Sequence, residues 1–168
     1  MNFSKSLLFL VMAGVSTAAM TAEAVPAAPA PSEFVNKAAQ DGMTEVALGK
    51  VALSKSKDPK VQDFAQRMVT DHGKANAELA SLAKAKGIEP PNTLDAIHEA
   101  MVQQLQGKDG AEFDHAYAQH MNMDHGKAIE LFESAAKSAD ADVAGFARKT
   151  LPTLKEHKIL AVNLAAKQ

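Results

Sequence analysis

Three histidines in this chain stand where they can act together: His72, His125 and His157. His72 lies near the middle of an apolar helical face, His125 takes the corresponding place in a second helix, and His157 sits at the edge of a third such stripe. Buried imidazoles need hydrogen-bond partners or a metal, since an unpaired polar group in an apolar setting is costly. Glu45 is the carboxylate that can join them, with Asp41 an alternative one turn earlier. Such a set suits Zn, Fe, Mn or oxidised Cu and does not choose among them. Met68 and Met121 precede His72 and His125 by one helical turn, which makes copper a reasonable second choice, although methionine on an apolar stripe more often only packs. The same residues serve equally well as a metal-free hydrogen-bonded layer that fixes helix register. Asp71 and Asp124 are turned about 100° from the neighbouring histidines and are better placed as helix-seam partners than as ligands. His115 points away from its stripe, His120 lies on the flank, and His98 belongs to a connector.

The elements that position these residues are helices. Ser32 is placed to cap a first helix to about Lys55, and Asp58-Pro59 forms an N-cap and first-turn pair for a second, ending near Lys86. Gly87 supplies a permissive stop and Pro90-Pro91 forbid continuation. Asn92 with Asp95 reads as a capping box for a short helix ending before Gly107. Asp109 with Glu112 opens a helix to about Lys137, and Asp140 caps the last, to about Ala166. No stretch alternates as a strand does. Four long amphipathic helices must bury their apolar faces against one another, with the segment Gly87 to Lys108 crossing between two halves. The expected fold is all-α, a four-helix bundle with a short additional helix in the long crossover connection. Counting 1.5 Å per residue from the turns puts Glu45, His72, His125 and His157 within roughly 10 Å along the bundle axis.

Two features sharpen this picture. Phe64 to Ala75 (FAQRMVTDHGKA) echoes Tyr117 to Ala128 (YAQHMNMDHGKA), with an identical DHGKA around each histidine. Gly73 and Gly126 weaken a helix interior by about 1 kcal/mol each, so close helix contact or an adaptable backbone beside the histidine is expected there. On the first helix Gly42 and Gly49 belong to an Ala/Gly-rich stripe that permits close approach. Pro152 removes a hydrogen bond to Arg148 and either bends or divides the last helix.

Composition closes off several functions. The chain has 168 residues, no Cys, and 18 Lys+Arg against 20 Asp+Glu. Thiolate chemistry and disulfides are therefore excluded, and the nearly balanced, interspersed charge argues against nucleic-acid partners. Serines lack a nucleophile-elbow context, and neither a phosphate-binding glycine loop nor H-E-x-x-H is present, so no catalytic residue is assigned. Lys5, the apolar run Leu7 to Val15 and Ala22-Glu23-Ala24 read as a signal peptide cleaved after Ala24. Residues 25–31 (VPAAPAP) read as a tether and 32–168 as the bundle domain. No later apolar segment is long enough for transmembrane insertion, so a periplasmic protein, loosely attached to the outer membrane or to an unknown envelope partner, is expected.

With these elements in order the chain resembles the DUF4142 family of exported bacterial proteins. The resemblance rests on EVALGKVAL (Glu45 to Leu53), FAQRMVTDHGKANAEL (Phe64 to Leu79), FDHAYAQHMNMDH (Phe113 to His125) and LPTLKEH (Leu151 to His157). It implies a ferritin-like four-helix bundle and an envelope location, and brings no family-wide reaction with it. Ferritin-like di-iron centres use Glu-x-x-His pairs, whereas here Val69, Asn122 and Leu154 stand three residues before the histidines. The expectation is one transition-metal ion held by His72, His125, His157 and Glu45 in metal buffering or stress protection. The competing readings are a metal-free structural or interaction module and a redox enzyme using the same centre.

Overall fold

The computed structural model describes residues 27–167, so the expected signal peptide and the first two tether residues lie outside the described residues. Five helices follow: α1 (Pro31–Lys55), α2 (Pro59–Ala85), α3 (Ala96–Gln106), α4 (Gly110–Ala135) and α5 (Ala141–Ala165). Among the described residues there are no strands. The chain is an all-α, ferritin-like four-helix bundle whose short helix α3 lies in the crossover.

The caps explain where helices begin. Asp58 accepts a hydrogen bond from Lys60 N–H, with Pro59 in the first turn, and Asp140 accepts from the N–H groups of Asp142 and Val143. Three expected starts need correction. Helix α1 begins at Pro31, ahead of Ser32, because proline's fixed φ suits the first helical position without a side-chain cap. Helix α3 begins after Asp95, which caps it alone by accepting from Ile97 and His98 N–H, so Asn92 is no part of the cap. Asp109 precedes α4 but does not cap it with its side chain, which instead pairs with Lys55 at 2.7 Å. Helix α2 stops where Gly87 takes a left-handed conformation, φ +65°. Pro152 sits within α5, and the helix runs through it undivided.

Terminal contacts set the topology. Lys55, closing α1, reaches Lys108 O and Asp109 Oδ1 just ahead of α4 (2.9 and 2.7 Å). Lys86, after α2, reaches Asp140 Oδ2 and Asp142 Oδ2 at the start of α5 (2.6 and 3.0 Å). Helix α4 therefore starts at the end where α2 starts, and these two run parallel, while α1 and α5 run the other way. The crossover climbs the bundle beside α1, pinned where Gln40 donates to Thr93 O and accepts from Asp95 N–H.

The core falls into two apolar clusters. One holds Leu48, Phe64, Met68, Tyr117, Met121 and Ala161 among others. The second is built around Phe34, Leu79, Phe132, Val143 and Leu154. Each long helix passes from one cluster to the other through a buried polar residue: Glu45, His72, His125 and His157. The division of the core marks the level of the site.

Helices α1 and α2 approach closely at glycines of α1. A Cβ on Gly49 would lie 2.9 Å from Val69 Cγ2 and 3.0 Å from Ala65 O. Gly73 differs from expectation: nothing lies within 4 Å of its Cβ position, so helix contact does not account for it. Gly126 meets only the Lys158 ammonium, at an ordinary 3.4 Å. Gly49→Ala is expected to destabilise the fold by about 1–3 kcal/mol through overpacking. Gly73→Ala should stabilise it by up to about 1 kcal/mol through helix propensity alone. Urea unfolding of the two variants checks both signs.

Candidate metal centre

The three histidines meet. One ring nitrogen from each of His72, His125 and His157 lies within 4.8 Å of the others. Ring centroids are 5.3–5.4 Å apart in all three pairs. The repeated DHGKA segments explain part of this convergence. His72 lies 14 residues beyond Asp58 and His125 lies 16 beyond Asp109, on helices that run parallel from the same end of the bundle. Similar distances from a common end give a similar level, and His157 arrives on α5 from the opposite direction. His157, placed by sequence at the stripe's edge, is almost wholly buried.

Hydrogen bonds behind the rings fix which nitrogen carries a lone pair. His125 Nδ1 lies 2.9 Å from Met121 O; a carbonyl only accepts, so Nδ1 carries the proton and Nε2 is bare. His157 Nε2 lies 3.0 Å from Asp71 Oδ2, which makes Nε2–H the donor. His157 Nδ1 is then an acceptor, buried and without a hydrogen-bond partner among the described residues. His72 Nε2 completes the group, 3.4 Å from His125 Nε2.

Neutral rings are the chemically consistent state. Burial, followed by the proximity of His125 and His157, drives the His72 pKa well below its ordinary value. Burial lowers His125 to about 4, against the partial support of the Met121 carbonyl. His157 is also lowered by burial, with Asp71 opposing. Three neutral imidazoles at one point are ready electron-pair donors.

Glu45 is buried beside the cluster, but not within it. Its Oε1 is 3.7 Å from His125 Nδ1, the nitrogen committed to Met121, and its Oε2 is buried and unpartnered among the described residues. Burial, then the nearby Asp124 and Asp41 carboxylates, raise its pKa well above the ordinary value. Asp124 lies 2.8 Å from His120 Nε2 and 3.5 Å from Lys127 Nζ. Burial pushes Asp124 up, but these neighbours outweigh it and hold the carboxyl below the usual range. Asp41 pairs with His98 Nε2 at 3.5 Å. Met68 and Met121 pack in one apolar cluster, and Met121 serves the site through its carbonyl. His115 is exposed. The expectation for Asp71 was incomplete: it is a seam residue, but its partner is His157 on α5, which no spacing within α2 reveals.

Fold and site together define a ferritin-like helical bundle with a buried tri-histidine centre. The chain belongs to the DUF4142 family: the model for this domain of unknown function matches residues 16–164. Among solved structures, the chain is similar to the crystal structure of a DUF305 fragment from Deinococcus radiodurans. That likeness has a TM-score of 0.74 at 16% identity and covers 86% of this chain and 100% of that one. At this identity the likeness speaks for the fold alone. No curated protein matches the chain.

The histidine layer carries a pH dependence. The His125 pKa is about 4 when folded against 6.5 for a free histidine, so between these values the unfolded chain binds more protons. The stability tied to this neutral ring is complete above pH 6.5 and drains as pH falls toward 4, by about 3 kcal/mol in all. Glu45 acts oppositely: its raised pKa gives stability that is present below 4.5 and lost as pH rises through the folded value. Urea unfolding of metal-free protein and of His125→Leu, across pH 4–7, isolates the histidine contribution. The variant is expected to lack the His125 share of this acid-side loss while keeping the shares of His72 and His157.

Proposed function

We propose that this protein is an exported, periplasmic helical-bundle protein that binds one transition-metal ion through His72, His125 and His157, in a metal-buffering or stress-protection role. The observation that carries the reading is the convergence of one ring nitrogen from each of three buried histidines, together with a His157 Nδ1 that is buried and without a hydrogen-bond partner among the described residues. A buried acceptor without a donor is an unfavourable arrangement that an ion removes. The 3.4 Å between His72 and His125 Nε2 fits two ligands of one tetrahedral ion, which at about 2.0–2.1 Å bonds sit about 3.3 Å apart. Zn, Fe, Mn and Cu all accept such donors, and bound metal supplies Lewis acidity and positive charge at the level where the core divides. Asp71 holds the His157 ring from behind and makes it more basic, while the Met121 carbonyl does the same for His125. Glu45 is the carboxylate available to a fourth coordination position after a side-chain shift, and its charge would balance the ion.

The export assignment rests on the N-terminal charge and apolar pattern. Among the described residues no helix is long and apolar enough to cross a membrane. One observation favours a second reading. The His72–His125 contact is itself a hydrogen bond when one Nε2 carries a proton, giving a metal-free polar layer for a structural or interaction module.

Equilibrium titration with Zn²⁺ and Co²⁺ separates the two readings. The metal reading predicts one ion per chain, lost on His72→Ala/His125→Ala substitution, and a stability gain of about 2.7 kcal/mol at a free concentration 100 times Kd. Asp71→Asn should weaken binding about 10–100-fold while leaving stoichiometry at one. Absence of binding, with stability unchanged by chelator, would favour the structural layer.

A further inference from the structure

We propose that the cavity beneath α3, lined by residues of all five helices, is the path by which a divalent cation reaches the histidines, drawn in by Asp41 and Asp124 and covered by His98 of α3. This rests on the metal reading above and adds the route to that site. The cavity, about 100 Å³, is lined by Asp41, Glu45, His72, His98, Asp124 and Lys127 among others. Its lining runs from surface to core: the Lys127 side chain is 74% exposed and Asp41 45%, whereas Glu45 is 5% and His72 8% exposed. His72 therefore contributes both to the tri-histidine group and to the wall of a space that reaches solvent-exposed side chains.

The lining has the chemistry of a cation path. Three carboxyl groups face one ammonium, and Asp41, Glu45 and Asp124 are close enough to act electrostatically on one another. A low-dielectric cleft whose lining carries more negative than positive charge concentrates cations. The three histidines at its inner end are buried, so an ion sheds water before it reaches them. The ion must exchange water for protein oxygen on the way, and the Oε2 of Glu45, buried and without a hydrogen-bond partner among the described residues, is a carboxylate oxygen that can supply it. A second groove, near Asp71, Glu78 and Lys149, is lined by none of the three histidines themselves, whereas His72 lines the cavity directly.

Helix α3 covers the path. His98 Nδ1 is held by Asp95 at 2.7 Å, and its Nε2 lies 3.5 Å from Asp41 at the rim. Removing the imidazole opens the rim without touching the three histidines. Reversing the charge of Asp41 repels an incoming cation from the same place.

Stopped-flow mixing of the mature metal-free protein with Co²⁺, followed by chelator extraction and read in the visible spectrum, tests the route. His98→Ala is expected to accelerate loading and extraction by the same factor, leaving Kd within about twofold. Asp41→Lys should slow loading about 10-fold and abolish the slowing of wild-type loading by added salt. If Co²⁺ binds the wild type with one ion per chain but either variant loads within twofold of the wild-type rate, the route is wrong and the histidine site stands. If the wild type binds no Co²⁺, both the route and the metal reading fall.

Discussion

Polar groups buried at mid-height in a bundle must satisfy one another, and in this molecule that requirement falls on three neutral imidazoles. His125 and His157 each spend one nitrogen on a fixed acceptor, the Met121 carbonyl and the Asp71 carboxylate. Their remaining nitrogens need a donor or an ion, and among the described residues His72 is the third member of the group, with its Nε2 3.4 Å from His125 Nε2. A single N–H on His72 can serve one of two lone pairs, not both. The layer is therefore one hydrogen short in its all-neutral form, and the deficit is visible at His157 Nδ1. A metal ion held by the three rings would resolve that deficit for all of them together.

The rest of the fold holds this arrangement in place. Apolar clusters above and below bury the layer and depress the histidine pKa values, so the rings remain donors of electron pairs at neutral pH. Parallel α2 and α4 bring the two DHGKA segments to one level, while antiparallel α5 contributes the third ring. Lys55 and Lys86 fasten the two ends of the bundle across different helix pairs, which fixes the register on which the convergence depends. The glycine contact between α1 and α2 brings Glu45 near the rings without adding it to their inner group.

Much of this was readable from residues alone, for local reasons. Asp58-Pro59 and Asp140 announce helix starts by chemistry confined to a few neighbouring positions, and both act as caps. Histidines at matched distances from turns and on apolar faces imply a shared level, and the three do meet. What could not be read depends on tertiary register. The Asp71–His157 bond joins residues 86 positions apart, and nothing within α2 points to α5 as the partner. Glu45's place behind His125 depends on how α1 rotates against α4, a matter of side-chain packing rather than spacing. Ser32 and Asn92 resemble caps, yet Pro31 and Asp95 meet the same backbone need at neighbouring positions. Gly73 has no steric partner to explain it.

The central claim concerns protons more than the identity of a metal: two rings are locked by fixed acceptors, which leaves each with one bare, buried nitrogen where the three histidines meet. Nitrogen-15 NMR of the histidine side chains in metal-free protein at neutral pH measures this directly, because protonated and bare ring nitrogens resonate far apart. The structure predicts neutral rings, with His125 protonated at Nδ1 and His157 at Nε2. A His157 ring protonated at Nδ1, or an imidazolium at either position, would contradict the account.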